Sequence, residues 1–164
     1  MRRKWITIGE IDKLITDSMF ANIGFIDSNG NPSIRRVFCT WHKGIGKHLI
    51  STNTSSMHVR SLLLNPVACL YFENSKAFEG ICLQGETIVH FEKEFKEMCR
   101  KDGDEQYYPE GVADEDYCII EFTAESGRFY RYDGIGNLTK QEIDLFDQDA
   151  EYVDNYDRLM NENK

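Results

Sequence analysis

The chain has 164 residues, with 19 Lys+Arg against 28 Asp+Glu, which gives a formal net charge of −9. That balance excludes a general nucleic-acid binder, because affinity for a phosphate backbone comes from Lys and Arg neutralising it. A 41% hydrophobic share, 12% aromatics and 3 prolines exclude a disordered or collagen-like chain and point to a soluble, globular protein.

Residues 8 to 19 place Ile8, Ile11, Leu14, Ile15 and Met19 at helical spacing, which predicts a short amphipathic helix. Ala21 to Asp27 is apolar and β-prone, Ser28-Asn29-Gly30-Asn31 is a turn, and Pro32 to Trp41 resumes as a strand, so the stretch reads as a hairpin. A turn at Lys43-Gly44-Ile45-Gly46-Lys47 leads into a third strand, His48 to Thr52; its Gly-x-Gly lacks the strand-to-helix setting of a dinucleotide site. Thr54-Ser55-Ser56 offers helix caps, and the stripe Met57, Val59, Leu62, Leu63, Leu64 stops at Asn65-Pro66. Val67 to Glu73 and Gly80 to Phe91 are strands, the second with a mid-strand Gly85 that predicts a bulge or bend. Glu92 to Arg100 is helical, Lys101 to Asp116 polar, and Tyr117 to Thr123 with Gly127 to Tyr132 predict a final hairpin through Ala124-Glu125-Ser126. Six or seven strands joined by short connections, with three short helices, predict a mainly β barrel of antiparallel strands.

The expected organisation is one domain over residues 1–140 and an acidic tail over 141–164, read as a solvated appendage. The basic start Met1 to Trp5 is followed by Glu10, Asp12 and Lys13 before any apolar stretch of signal-peptide length. No window approaches the roughly 20 apolar residues that span a bilayer. Cys39, Cys69, Cys82, Cys99 and Cys118 are odd in number and form no C-x-x-C pair, so neither a disulfide framework nor a metal site is expected. These features point to the cytoplasm, with the cysteines acting as small hydrophobes.

One constellation carries chemistry. Ile34-Arg35-Arg36-Val37-Phe38 puts two guanidinium groups into an apolar strand, and strand alternation sends them to opposite faces. Ser51-Thr52-Asn53-Thr54-Ser55-Ser56-Met57-His58 is a hydroxyl-rich strand end that feeds a helix start, where free N–H groups and the dipole favour a phosphate. Arg35 and this helix start together make a phosphate cradle; the same residues also read as a capped helix beside arginines bridged to carboxylates. His42, His48 and His90 are expected in surface or structural roles. Trp41 and Tyr71 could stack on an aromatic ligand or serve packing.

The order G-N-P-x-I-R-R-V, S-T-N-T-S-S-x-H, L-x-N-P-x-A-x-L-Y-F, G-x-x-L-Q-G and Y-Y-P-E-G-V-A-D-E-D-Y over residues 8 to 132 resembles the pyridoxamine 5′-phosphate oxidase-like FMN-binding split-barrel superfamily, in its general stress protein 26-like branch. The resemblance implies a split β-barrel homodimer with FMN at the subunit interface, and an oxidoreductase or reductase acting on a small molecule. It places Arg35 on the FMN phosphate and ribityl side, the backbone of Arg36, Val37 and Phe38 along the isoalloxazine ring, and Thr52 beside the cofactor. Ser56, Met57 and His58 fall on the family's Ser-Arg-Lys phosphate loop. Met57 and His58 remove two positive charges from it, which a protonated His58 would partly restore near its ordinary pKa of about 6.5. Gly80 stands where the oxidases carry a flavin-contacting Gln, and Thr40 where they carry a substrate Lys, so pyridoxamine phosphate is not the expected substrate. The alternative is a non-catalytic flavin- or haem-binding stress or sensor protein. Neither nucleic acid nor membrane is expected as a partner.

Overall fold

The computed structural model describes residues 6–39 and 41–162. Helix α1 (Ile8–Thr16) starts in a capping box, in which Thr7 Oγ1 accepts from Glu10 N and the Glu10 carboxylate accepts from Thr7 N. It buries Ile11, Leu14 and Ile15. Strands β1 (Phe20–Ile26) and β2 (Pro32–Phe38) form the expected hairpin, with Asp27 Oδ1 accepting from the amides of Asn29 and Asn31 while Gly30 takes φ 81°. Strands β3 (Trp41–Lys43) and β4 (Lys47–Asn53) follow, then helix α2 (Met57–Leu64), which stops where Asn65 turns extended ahead of Pro66. Next come β5 (Val67–Asn74), β6 (Glu79–His90), α3 (Lys93–Cys99), a polar stretch with two short turns of 3₁₀ helix, and β7 (Tyr117–Arg131). β8 (Gly134–Thr139), α4 (Lys140–Phe146), β9 (Tyr152–Asp154) and α5 (Tyr156–Glu162) complete the chain.

The strands make one sheet in the order β2-β1-β5-β6-β7-β4-β3-β9, with β8 added to β7, and every pairing is antiparallel. The sheet curls into a half-barrel, the mainly β split barrel that the sequence predicts. Its concave face, α1 and α2 enclose the main core, where Ile23, Ile50, Val59, Leu70, Ile81, Leu83 and Ile120 are fully buried. A second cluster, Leu49, Cys99, Tyr108, Tyr117 and Ile119, lies on the opposite side of β4 and β7.

Two expectations are corrected. The segment Ala124-Glu125-Ser126 is not a turn: β7 runs unbroken for 15 residues beside the 12 of β6. The ladder slips there, with Gln84 opposite Ser126 and Gly85 opposite Ala124, so that Glu125 is the extra residue of a bulge at the predicted Gly85 position. The acidic segment after residue 140 is not a solvated appendage. Thr139 and Glu142 form a second capping box for α4, β9 pairs with β3, and Asn155 Nδ2 donates to His42 Nε2 at 2.7 Å. His42 therefore carries its proton on Nδ1, which donates to Gly44 O.

The Asp147 carboxylate explains the Gly-x-Gly turn. Its two oxygens accept from Ile45 N at 2.9 Å and Gly46 N at 2.6 Å. A Cβ at Gly44 would lie 2.0 Å from Asp147 Oδ1, and Gly44 has φ +56°. The turn is thus a nest for a carboxylate of the same chain. Asp147→Ala leaves two amides without partners and is expected to cost about 2–3 kcal/mol of stability, whereas Asp147→Asn, which keeps one acceptor oxygen, loses about half of that. Chemical denaturation of the two variants checks the ranking, and equal stability of Asp147→Ala and the parent contradicts it.

Candidate functional site

The half-barrel opens between β2 and β4. Among the described residues, β2 bonds only to β1 and β4 bonds to β7 and β3; the two approach each other but form no ladder. Alternate N–H and C=O groups of β2 therefore face the opening unpaired. One end of this opening is the start of α2. The amides of Met57, His58 and Val59 precede the first backbone bond of the helix, made by Arg60 N to Ser56 O, and have no acceptor among the described residues at the positive end of its dipole.

The predicted residues separate by strand face. Arg35 is exposed and lies near enough to His58 to disfavour its protonated form. Arg36 points the other way: its guanidinium sits 4.7 Å over the Phe20 ring and lines a different cavity of about 440 Å³ with Asp17, Tyr71 and Glu73. Val37 is buried in the core and Phe38 lines the opening. Thr52 Oγ1 meets His58 Nε2 at 3.1 Å, beneath the helix start. Ser56 Oγ donates to Asn53 O at 2.6 Å and makes no side-chain cap. Met57 is exposed. Thr40 lies outside the described residues.

His58 does not restore the missing charge. It is buried beside Phe25, and burial, reinforced by Arg35, pushes its pKa down to about 4, so it is neutral at physiological pH. The carboxylate of Asp116 also occupies part of the hydroxyl-rich loop, accepting from Ser55 N, Ser55 Oγ and Asn53 Nδ2. The sequence did not point to this residue, since its partners lie 61 and 63 positions away. What remains for an anion is Arg35 together with the amides of the first helical turn.

Phe38 of β2 and Ser51 and Asn53 of β4 also line a cavity of about 500 Å³ with Trp41, Tyr107 and Tyr108, Tyr156 of α5 standing at its wall; Arg35, Thr52, Ser56, Met57 and His58 are not among its lining residues. Tyr156 packs edge-on against Phe38 at 5.7 Å. Trp41 Nε1 is buried without an acceptor among the described residues, and its ring carries Lys101 Nζ at 4.6 Å. Such a pocket has the size and aromatic lining of a cofactor or ligand site. Trp41 therefore belongs to this opening, whereas Tyr71 does not: its hydroxyl fills the space over Gly80, where a Cβ would come within 2.2 Å of it. A glutamine at position 80 and this placement of Tyr71 exclude each other.

No protein-family model matches the chain, and no curated protein matches it. Among solved structures, a protein related to general stress protein 26 of B. subtilis (pyridoxinephosphate oxidase family) from Clostridium acetobutylicum is 36% identical, with a TM-score of 0.75 over 83% of this chain and 96% of that one. This chain belongs to the same pyridoxamine 5′-phosphate oxidase family. Within the family fold, a related FMN binding protein from Nostoc punctiforme PCC 73102 gives a TM-score of 0.64 at 11% identity over 79% of this chain and 86% of that one. A heme binding protein from Mycobacterium smegmatis gives 0.67 at 13% identity over 87% and 62%. Both share the split barrel with this member of the oxidase family. Among the described residues, no helix is long and apolar enough to cross a membrane.

Histidine burial sets an acid limit on this oxidase-family barrel. His48 is wholly buried between His42, Phe72 and Phe122, with Nε2 at 2.8 Å from Ile45 O, and burial pushes its pKa down to about 3. Unfolded, His48 and His58 take up protons near pH 6.5, which the folded chain refuses until about pH 3 and 4. The unfolded state binds more protons within that window, so stability is full above about pH 6.5 and falls as pH decreases. Lowering the pH from about 7 to about 5 is expected to remove up to about 2 kcal/mol per histidine. Urea midpoints at the two pH values measure this, and equal midpoints would show it wrong.

Proposed function

We propose that this chain binds FMN in the opening between β2 and β4 and acts as a flavin-dependent oxidoreductase on a small molecule other than pyridoxamine phosphate. The observation that carries the reading is the gap between β2 and β4, which form no ladder, with an aromatic cavity of about 500 Å³ lined by Phe38, Ser51 and Asn53 of these two strands. On this reading Arg35 and the amides of Met57, His58 and Val59 hold the phosphate, the β2 backbone from Arg36 to Phe38 aligns the ring, and Trp41 Nε1 gains an acceptor. Thr52 acts indirectly, by fixing His58 below the helix start. FMN bound there would supply hydride or single-electron transfer, the protein contributing position and electrostatics.

The family membership supports a homodimer with the cofactor at the subunit interface. So does the exposed apolar surface at the end of α2 and on β5 and β6, where Leu63, Leu64, Val67 and Ile88 are each more than half exposed. The Thr87 N bond to Pro66 O holds the ends of α2 and β6 together at this patch. The cytoplasm remains the proposed compartment.

The Mycobacterium smegmatis neighbour raises the alternative of a non-catalytic haem-binding protein. None of the four histidines lines the cavity, which leaves an iron without the commonest protein ligand there. The absorption spectrum of freshly purified protein, followed by FMN titration and by assay of reduced nicotinamide oxidation, tests these readings. Flavin bands near 370 and 450 nm with turnover support the enzyme, and flavin without turnover supports a sensor. An intense Soret band supports haem, and a colourless protein indifferent to FMN refutes cofactor binding.

A further inference from the structure

Three of the five thiols, Cys39, Cys99 and Cys118, are buried, and burial pushes each of them up; they serve packing, as the sequence suggests. Cys69 on β5 and Cys82 on β6 differ. The register sets Tyr71 opposite Cys82 and Cys69 opposite Gln84, so the two thiols are diagonal neighbours on one face of adjacent antiparallel strands. Leu70 and Leu83, which alternate with them, are wholly buried, while both thiols remain partly exposed on the convex face. Each thiol is the largest influence on the ionisation of the other. Gly24 of β1 stands opposite Cys69, and a Cβ there would lie 2.6 Å from Cys69 Sγ, so the glycine gives the sulfur its room. The FMN reading uses neither thiol.

We propose that Cys69 and Cys82 form a redox-active dithiol, which low-molecular-weight disulfides convert reversibly into an intramolecular disulfide. In the first step Cys69 thiolate attacks one sulfur of the small disulfide. Its S–S bond breaks, one thiolate leaves and takes a proton from solvent, and Cys69 carries the mixed disulfide. Cys82 then gives its proton to solvent and attacks Cys69 Sγ, releasing the second small thiolate, which is protonated in turn. The protein loses two electrons and two protons, and the small disulfide gains both as two thiols. The roles are not interchangeable. The neighbouring Cys82 thiol, with the Gly24 backbone, holds Cys69 below the usual thiol range, and Cys69 in turn raises Cys82. Cys69 is therefore the nucleophile and Cys82 the resolving thiol.

The test is incubation of the reduced full-length protein with oxidised glutathione at about pH 7.5, read by intact mass and by peptide mapping without reductant. The expected product is lighter by two hydrogens, contains a peptide joining Cys69 to Cys82, and returns to the starting mass with dithiothreitol. Cys82→Ser is expected to stop at one glutathione adduct on Cys69, and Cys69→Ser to react about tenfold more slowly. Wild-type protein that stays reduced, accumulates only glutathione adducts, or closes a different pair overturns the proposal. The wild-type result depends neither on a variant folding nor on FMN binding.

Discussion

Gly85→Ala is expected to destabilise the protein by about 3 kcal/mol or more, the upper end of what forced overpacking costs. A Cβ at this position would lie 1.9 Å from Thr123 O, 2.8 Å from Thr123 C and 3.0 Å from Ala124 Cα. All three are backbone atoms of the neighbouring strand, so no side-chain rotation relieves the contact. Relief requires β6 and β7 to separate at the point where both are fully inside the ladder. The bulge would then open, and with it the bend that lets the long strands close the half-barrel. Gly9→Ala is the control: among the described residues only Thr7 Oγ1 lies near, at 3.9 Å, and alanine in a helix gains up to about 1 kcal/mol over glycine. Urea denaturation of both variants gives the comparison, and a Gly85→Ala protein within about 0.5 kcal/mol of the parent would contradict the geometry.

Arg35→Ala is expected to weaken FMN binding by roughly ten- to a hundredfold, the equivalent of one charge-assisted hydrogen bond. The effect should be large because little other positive charge faces the proposed phosphate position. Met57 and His58 contribute none at neutral pH, and Asp116 already holds the nearby Ser55 and Asn53 donors. Arg36→Ala should leave affinity within about threefold, since the guanidinium lies over Phe20 and lines another cavity with Asp17, Tyr71 and Glu73. Fluorescence titration of apo-protein with FMN reads both. Equal losses from the two substitutions would mean that strand alternation does not sort these side chains as described.

Much of this arrangement is legible in the residues because the signals are local. Asp27 to Asn31 carries turn chemistry, Pro66 stops α2 by its own ring, and a glycine inside an apolar alternation marks the bulge. Ala124 to Ser126 misleads because a polar break in a strand can be a turn or the opposite side of a bulge. Only the uninterrupted partner β6 distinguishes the two. The acidic tail misleads because composition speaks of solvation while its anchors are single residues: Thr139 and Glu142 spell a helix start in plain sequence, but Asp147 finds its amides across 102 positions. At the site, the divergence of Arg35 and Arg36 follows from alternation alone. The loss of charge on His58 does not, since it depends on Thr52 and Phe25 closing over the ring.

The Asp147 clamp also bears on when the protein can finish folding. Contacts joining Ile45 to Asp147, Glu10 to Arg131 and Thr16 to Asn155 span 102, 121 and 139 positions, and each such loop must close before its bonds repay the lost chain entropy. During synthesis the β3–β4 turn is made early, yet its two amides must wait for a carboxylate about a hundred residues further along the chain. The nascent barrel therefore stays incomplete until the segment carrying Asp147 and Asn155 has emerged, and a chain cut before Asp147 should be a substrate for chaperones and proteases rather than a smaller working version of the protein.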